Sequence, residues 1–346
     1  MSSSSKFISI IKPTAFRTLL QATKASSANR TIPIDATWFM PNNPRNARAE
    51  FDQDQTLKHM AASSTHTQPK FFDLDKWARD SPYPHMLPTQ SIMNEAFEEL
   101  GIHESDNLVV FDRVGNFSSP RVAFTLKLAG HGKVYLLDNY PNYLKSDASH
   151  QEKQTGEGAV NGGGSVANAA PSDTTGTAID GEVNEAHSPH SYEEIYDREV
   201  IEYEELVTHI ANNDITNYLI LDARSADRFT GAAPEPRPGL SSGHIPTAKN
   251  LPFTKLLNAD ANNEYKTKEE IESVLSNELG IDLAKLGQEG YYPGGIIVMC
   301  GTGVTACIVK LALENIVKVN VPVKLYDGSW TEWAMRAPEK YIVKDV

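Results

Sequence analysis

Along the chain, short and almost wholly apolar runs alternate with stretches whose apolar residues recur every three or four positions. Leu108-Val109-Val110-Phe111 lacks the polar alternation of a half-exposed strand and predicts a buried parallel strand. Helical spacing follows from Pro120 to Ala129, and Val134-Tyr135-Leu136-Leu137 returns to strand, giving a strand–helix–strand unit. The pattern recurs downstream. Tyr218-Leu219-Ile220-Leu221 reads as a strand, and Glu269 to Leu279 as a helix with Lys268, Glu269 and Glu270 at its start. The run Gly295-Ile296-Ile297-Val298-Met299 is a second buried strand. A helix from Ala306 to Ile316 follows, spaced on Ile308, Leu311, Ala312 and Asn315, and Val323-Lys324-Leu325-Tyr326 closes the series. Both halves end in similar turns, Leu137-Asp138-Asn139 and Tyr326-Asp327-Gly328. These observations predict two copies of one α/β domain.

Two segments break the pattern. From Asp147 to about His190 the chain is rich in Gly, Ser, Ala, Asn and Thr, with Gly162-Gly163-Gly164 at its centre. So few large apolar residues cannot offset the entropy of ordering, and the stretch reads as a flexible linker. The N-terminus carries no acidic residue before Asp35, yet it holds Lys6, Lys12, Arg17, Lys24 and Arg30 among many Ser, Thr and Ala. Its apolar residues Phe7, Ile8, Ile11, Phe16, Leu19 and Leu20 recur at roughly helical spacing, which fits a mitochondrial targeting leader. The expected organisation is a leader over 1–31, a first domain over 32–146, a linker over 147–191 and a second domain over 192–346.

Composition narrows the function. The 346 residues suffice for two domains, and 40% hydrophobic content supports a sizeable core. A formal net charge of −13 argues against broad nucleic-acid binding, which needs a basic face. No apolar run approaches the roughly 20 residues that span a bilayer, so no membrane role is expected. The two cysteines, Cys300 and Cys307, are too few for a disulfide scaffold and do not match zinc-ligand spacing. They fit a reducing compartment with a thiol free for chemistry.

Cys300 stands where a buried strand gives way to a helix, at the head of Cys300-Gly301-Thr302-Gly303-Val304-Thr305. Two glycines let the backbone curl so that successive N–H groups point inward, and the helix N-terminus adds positive potential. Such a cradle favours a thiolate over a thiol, and equally a persulfide anion. A passive cysteine at a strand end is the bland alternative. Cys307 falls inside the following helix and reads as packing.

The rest of the sequence resembles the 3-mercaptopyruvate and thiosulfate sulfurtransferases, or tandem rhodaneses, over nearly the whole chain after the leader. The loop Cys300 to Thr305 resembles the mercaptopyruvate-type active-site loop. Asp222-Ala223-Arg224, Arg228-Phe229, Pro234-Glu235-Pro236-Arg237, Ser242-Gly243-His244-Ile245-Pro246 and Asn250-Leu251-Pro252-Phe253 resemble the entry to the catalytic domain, and Tyr326-Asp327-Gly328-Ser329-Trp330 its closing motif. Trp38-Phe39-Met40-Pro41, Phe71-Phe72-Asp73-Leu74-Asp75, Ser81-Pro82-Tyr83, His85-Met86-Leu87-Pro88 and Ser119-Pro120-Arg121-Val122 resemble the inactive domain, which here contains no cysteine.

The resemblance implies two tandem rhodanese-like α/β domains, each a mainly parallel sheet with helices on both faces. It implies that Cys300 carries sulfur as a persulfide, with Gly301, Gly303, Val304 and Thr305 in the substrate cradle. Arg228 and Arg237 are implied to grip the donor, their planar forks suiting a 2-oxo carboxylate. Thr302 is implied to work with His85 and Asp75 of the inactive domain, with Asp73 as the fallback acid. A longer loop without a catalytic role is expected over Leu57 to Lys70. The implied donor is 3-mercaptopyruvate, with slower activity on thiosulfate, because Gly301 and Thr302 are neutral where thiosulfate-type loops place basic side chains. Implied acceptors are thioredoxin, a small thiol or a sulfur-carrier protein, including the carrier of tRNA thiolation implied for some eukaryotic relatives. No metal or organic cofactor is implied, and a monomer is expected. A phosphatase on the same fold would need an arginine six residues after the cysteine, where this chain has Ala306. A non-catalytic docking module is the remaining alternative, and the intact cysteine loop argues against it.

Overall fold

The computed structural model describes residues 8–25, 29–147 and 191–346. Among these, strands β1 (Ser9–Ile11), β2 (Thr31–Asp35), β3 (Lys70–Phe71), β4 (Asn107–Phe111) and β5 (Val134–Leu137) form one sheet in the order β1-β5-β4-β2-β3. Strands β6 (Val200–Ile201), β7 (Tyr218–Asp222) and β8 (Lys249–Asn250) precede a small antiparallel hairpin, β9 (Leu257–Asn258) and β10 (Glu264–Tyr265). With β11 (Gly295–Met299) and β12 (Val323–Tyr326), the first three form a second sheet in the order β6-β12-β11-β7-β8. Every pairing within the two large sheets is parallel. Counted along the chain, both sheets run first, fifth, fourth, second, third, so the duplication expected from the sequence is a duplication of topology.

The first half contributes helices α1 (Pro13–Ala25), α2 (Ala47–Gln53), α3 (Gln55–Ser63), α4 (Gln90–Leu100), α5 (Ser119–Leu128) and α6 (140–147). The second contributes α7 (Tyr192–Glu199), α8 (Tyr203–Ala211), α9 (Ala226–Thr230), α10 (Lys268–Ser273), α11 (Ala306–Leu311) and α12 (Ser329–Arg336). Helices α10 and α11 continue in π-helical turns over Val274–Glu278 and Ala312–Val317, so both expected helices are present over nearly their full length.

Parallel strands must be covered on both faces, and the side-chain alternation of the central strands shows how. Leu108 and Val110 of β4 face a cluster that also takes in Ile296 and Val298 of β11, with Met93, Val122, Ile271 and Ile308 from helices of both halves. One contiguous core therefore lies between the sheets. Val109 and Phe111 face outward onto Phe16, Leu57, Met60 and Tyr140, while Ile297 and Met299 face Leu206, Ile210, Trp330 and Trp333. Among the described residues no helix is long and apolar enough to cross a membrane.

Two expectations are corrected. The leader was placed over 1–31 and the first domain from 32, but β1 pairs in register with β5 and α1 buries Phe16, Leu20 and Thr23. Of the apolar residues that suggested a leader, Ile11 lies in β1 and Phe16, Leu19 and Leu20 lie in α1, so the first sheet and its helices take in residues of the expected leader. The loop expected over Leu57 to Lys70 is in its first part helix α3, capped by the Asp54 carboxylate on the Leu57 N–H at 3.1 Å and held by buried Leu57 and Met60. The linker expected over 147–191 lies outside the described residues except at its ends, where Asp147 ends α6 and Ser191 caps α7.

Candidate active site

β11 delivers Cys300 to the end of the second sheet, where it is 2% exposed. The loop that follows is pinned through its carbonyls. Trp330 N–H donates to Cys300 O at 2.9 Å, and Thr331 donates to Gly301 O from its N–H at 3.0 Å and its hydroxyl at 2.7 Å. Gly303 O accepts from Cys307 Sγ at 3.4 Å and from Arg121 Nη1 at 3.4 Å. The Cys300 N–H itself donates to Ser329 Oγ at 3.1 Å. With the carbonyls drawn outward, the N–H groups of Gly301 through Thr305 have no acceptor among the described residues. Gly303 sits at φ +77°, and a Cβ there would lie 2.8 Å from Asp327 O, so glycine alone fits.

The first half shows what such a loop binds. Asp112 directly follows β4, as Cys300 follows β11. Its Oδ1 accepts from the N–H groups of Val114 at 3.0 Å and Gly115 at 2.8 Å. Its Oδ2 accepts from the N–H groups of Phe117, Ser118 and Ser119 at 2.8, 3.0 and 2.9 Å, and from the Ser119 hydroxyl at 2.6 Å. The duplicate loop is an anion cradle filled by its own carboxylate. The second half has a thiol at that place.

Arg228 lies in the middle of α9 beside the loop, with Nη2 3.2 Å from the position a Gly301 Cβ would take. Its Nε lies 3.2 and 3.1 Å from the two Glu235 oxygens, and its Nη2 lies 2.5 Å from Oε2. Glu235 also receives Arg224 Nη1 at 2.7 Å, and Arg224 is anchored on Asp222. Arg237 is half-buried and makes no hydrogen bond or ion pair among those recorded for the described residues. Burial and then Arg228 push its guanidinium below the ordinary value, while Glu235, Cys300 and Asp75 oppose the shift.

His85 reaches the same place from the first half. Its Nδ1 lies 2.7 Å from Asp75 Oδ1, a close but bent contact that falls short of a regular hydrogen bond, and its buried Nε2 has no partner among the described residues. The His85 contact holds the Asp75 carboxyl below its usual range. Trp38 fixes the pair from both sides: its Nε1 donates to Asp75 Oδ2 at 3.0 Å, and its ring meets the imidazole edge-on with centroids 4.7 Å apart. Asp73 instead caps its own turn through the N–H groups of Asp75 and Lys76. The Thr302 hydroxyl makes no hydrogen bond among the described residues, so its link to His85 is not formed here. Val304 packs its side chain into the central core, so it can face a substrate only through its backbone N–H, and Thr305 is the partly exposed N-cap of α11. Cys307 is fully buried in α11, and burial pushes its thiol up to about 12.

An open groove of about 560 Å³ leads to Arg237, bringing Ser81, Pro82 and Pro84 of the first half against Leu240, Thr331 and Met335 of the second. Sequence reasoning missed three parts of this arrangement: the Asp112 carboxylate, the reach of Arg121 across the interface, and the placement of Asp327 beneath the loop. The repeated aspartate after each closing strand was the available signal.

Comparison with known proteins agrees with this geometry. The family model of the rhodanese-like domain matches residues 202–336. The chain is 34% identical over 339 residues to thiosulfate sulfurtransferase TUM1 of Saccharomyces cerevisiae, covering 97% of this chain and 98% of that protein. It is 34% identical over 303 residues to thiosulfate/3-mercaptopyruvate sulfurtransferase 1, mitochondrial, of Arabidopsis thaliana, covering 87% and 71%. The crystal structure of Tum1 protein from Saccharomyces cerevisiae superposes with a TM-score of 0.72 at 32% identity over 98% of both chains.

Proposed function

Because the chain belongs to the tandem-rhodanese family of thiosulfate and 3-mercaptopyruvate sulfurtransferases, we propose that it moves sulfur from 3-mercaptopyruvate to a thiol acceptor, carrying it as a persulfide on Cys300. The observation that carries this reading is the run of N–H groups from Gly301 to Thr305, without acceptors among the described residues and directly after Cys300, matched by the filled cradle around Asp112.

In the first half-reaction the Cys300 thiolate attacks the sulfur of the donor. The new S–S bond forms as the C–S bond breaks, and the electron pair leaves on carbon as the enolate of pyruvate, which then takes a proton. The loop N–H groups stabilise the persulfide anion that remains. His85, with Asp75 beside Nδ1 and with Nε2 unpartnered among the described residues, is proposed to handle the proton, with Thr302 as the hydroxyl it would act through. In the second half-reaction an acceptor thiolate takes the outer sulfur, becoming a persulfide and restoring the Cys300 thiolate. This is ping-pong chemistry.

Charge supports mercaptopyruvate as donor. Arg228 is committed to Glu235, so Arg228, Glu235 and Arg237 together carry one net positive charge, suited to a single carboxylate more than to a dianion. Gly301 and Thr302 add none. Thiosulfate, with sulfite as leaving group, is the second reading, favoured by the name of the yeast relative. Parallel assays of pyruvate and sulfite release decide between them. We expect kcat/KM to be larger for mercaptopyruvate, and a preference for thiosulfate would overturn the donor assignment.

Thioredoxin, a small thiol or a sulfur-carrier protein, including one serving tRNA thiolation, is proposed as acceptor, reached through the groove beside Arg237. A mitochondrial address, with a cytoplasmic pool, is proposed with one change. Cleavage after residue 31 would remove β1 and α1, so any import signal within 8–31 stays in the folded protein.

A further inference from the structure

The two halves are pseudo-equivalent, and one difference between them is concentrated at the active site. In each half the aspartate after the closing strand accepts a backbone N–H from the other half. Asp138 Oδ1 accepts from Tyr265 at 3.1 Å, and Asp327 Oδ2 accepts from Leu87 at 2.8 Å. Tyr265 and Leu87 each lie two residues before the N-cap of a helix, Thr267 and Thr89. The remaining partners differ. Asp138 is served by Lys12 and Asn116, both from its own half. Asp327 is served across the interface by Arg121 Nη2 at 2.6 Å. Arg121 lies in the first turn of α5, and the corresponding turn of α11, Ala306 to Val309, has no charged side chain.

Arg121 is 1% exposed, and its fork does more than pair with Asp327. Nη2 donates to His85 O at 2.6 Å, and Nη1 donates to Gly303 O at 3.4 Å. One guanidinium thus ties the His85 turn, the cysteine loop and the floor of the loop together. Asp327 then holds the same turn a second time through Leu87 N–H. This double tether acts where the backbone is unfavourable, since His85 sits at φ +61° without being glycine. At the equivalent place Lys12 also crosses the interface, pairing Asp138 with Glu264, but it holds side chains only, whereas Arg121 donates to the backbone of both His85 and Gly303.

We infer that Arg121 is a positioning residue for sulfur transfer: it keeps His85 in register with the Cys300 loop across the domain interface. It acts through His85 and touches neither donor nor sulfur. The inference rests on the proton-handling role proposed for His85.

The test is a double-mutant cycle on the full chain, following pyruvate release from 3-mercaptopyruvate. Arg121→Lys keeps the buried charge but loses the fork, and circular dichroism with a melting curve checks its fold. Arg121→Lys should lower kcat by on the order of ten- to hundredfold, with KM for the donor within about twofold. The double variant with His85→Asn should be no slower than His85→Asn alone, a non-additivity that general loosening of the fold would not produce. Losses that multiply, or a full-rate Arg121→Lys, beside a slow His85→Asn would overturn the inference and leave the His85 role standing. A full-rate His85→Asn would overturn the His85 role and this inference with it.

Discussion

Cys300 and Cys307 are seven residues apart and both buried, yet their surroundings give them opposite chemistry. Cys300 heads a loop whose next five N–H groups have no acceptor among the described residues, while Cys307 donates to the Gly303 carbonyl from within a buried helix. Burial raises the Cys307 thiol to about 12, so its thiolate is present only at strongly alkaline pH. Alkylation of the native protein between pH 7 and 9 should therefore leave Cys307 unmodified, and peptide mapping after labelling checks this. Denaturation should expose both thiols equally. The two arginines are expected to separate in the same way. Arg237→Ala removes an unpaired cation and should raise KM for the donor about tenfold or more, with little effect on stability. Arg228→Ala also takes away one of the two guanidinium partners of buried Glu235 and should cost stability as well as affinity, which denaturant melts would show.

At the scale of elements, the central strands and the helices behind them were legible because their patterns were strong. β4, β5, β7, β11 and β12, with α5, α10 and α11, stand where apolar runs and helical spacing placed them. The edges were harder to read. β1, β3, β6 and β8 have two or three residues each and are made by pairing with neighbours, which no local pattern announces. α1 carries the composition of a targeting leader and the burial of a core helix, and only its partners distinguish the two. Removal of residues 1–31 should accordingly give insoluble or strongly destabilised protein, because β5 would lose its edge partner. Phe16→Ala should by itself cost about 3–5 kcal/mol in a denaturant titration, as expected for emptying a buried aromatic site. The cysteine loop was legible from two glycines at a strand–helix junction. The roles of Asp112 and Arg121 were not, because the first depends on duplication in space and the second on an interface between residues some two hundred positions apart.

Across the whole molecule, the two sheets enclose a single apolar core fed by helices of both halves. Buried cross-domain bonds at Asp138 and Asp327 fasten it at two related places. The halves should therefore unfold together, giving one calorimetric transition whose van't Hoff and calorimetric enthalpies agree. Two resolved transitions would show that the shared core does not couple them. In the proposed site, His85, Asp75 and Arg121 come from the cysteine-free half, and Cys300, Arg228 and Arg237 from the other. The central claim is that Cys300 is the sulfur carrier within this shared site. The most direct test incubates the protein with 3-mercaptopyruvate and, separately, with thiosulfate, and reads intact and peptide mass. The account predicts one added sulfur, roughly 32 Da, on Cys300 alone, more from mercaptopyruvate than from thiosulfate and absent in Cys300→Ala. No added sulfur from either donor, or sulfur carried elsewhere in the chain, would contradict it.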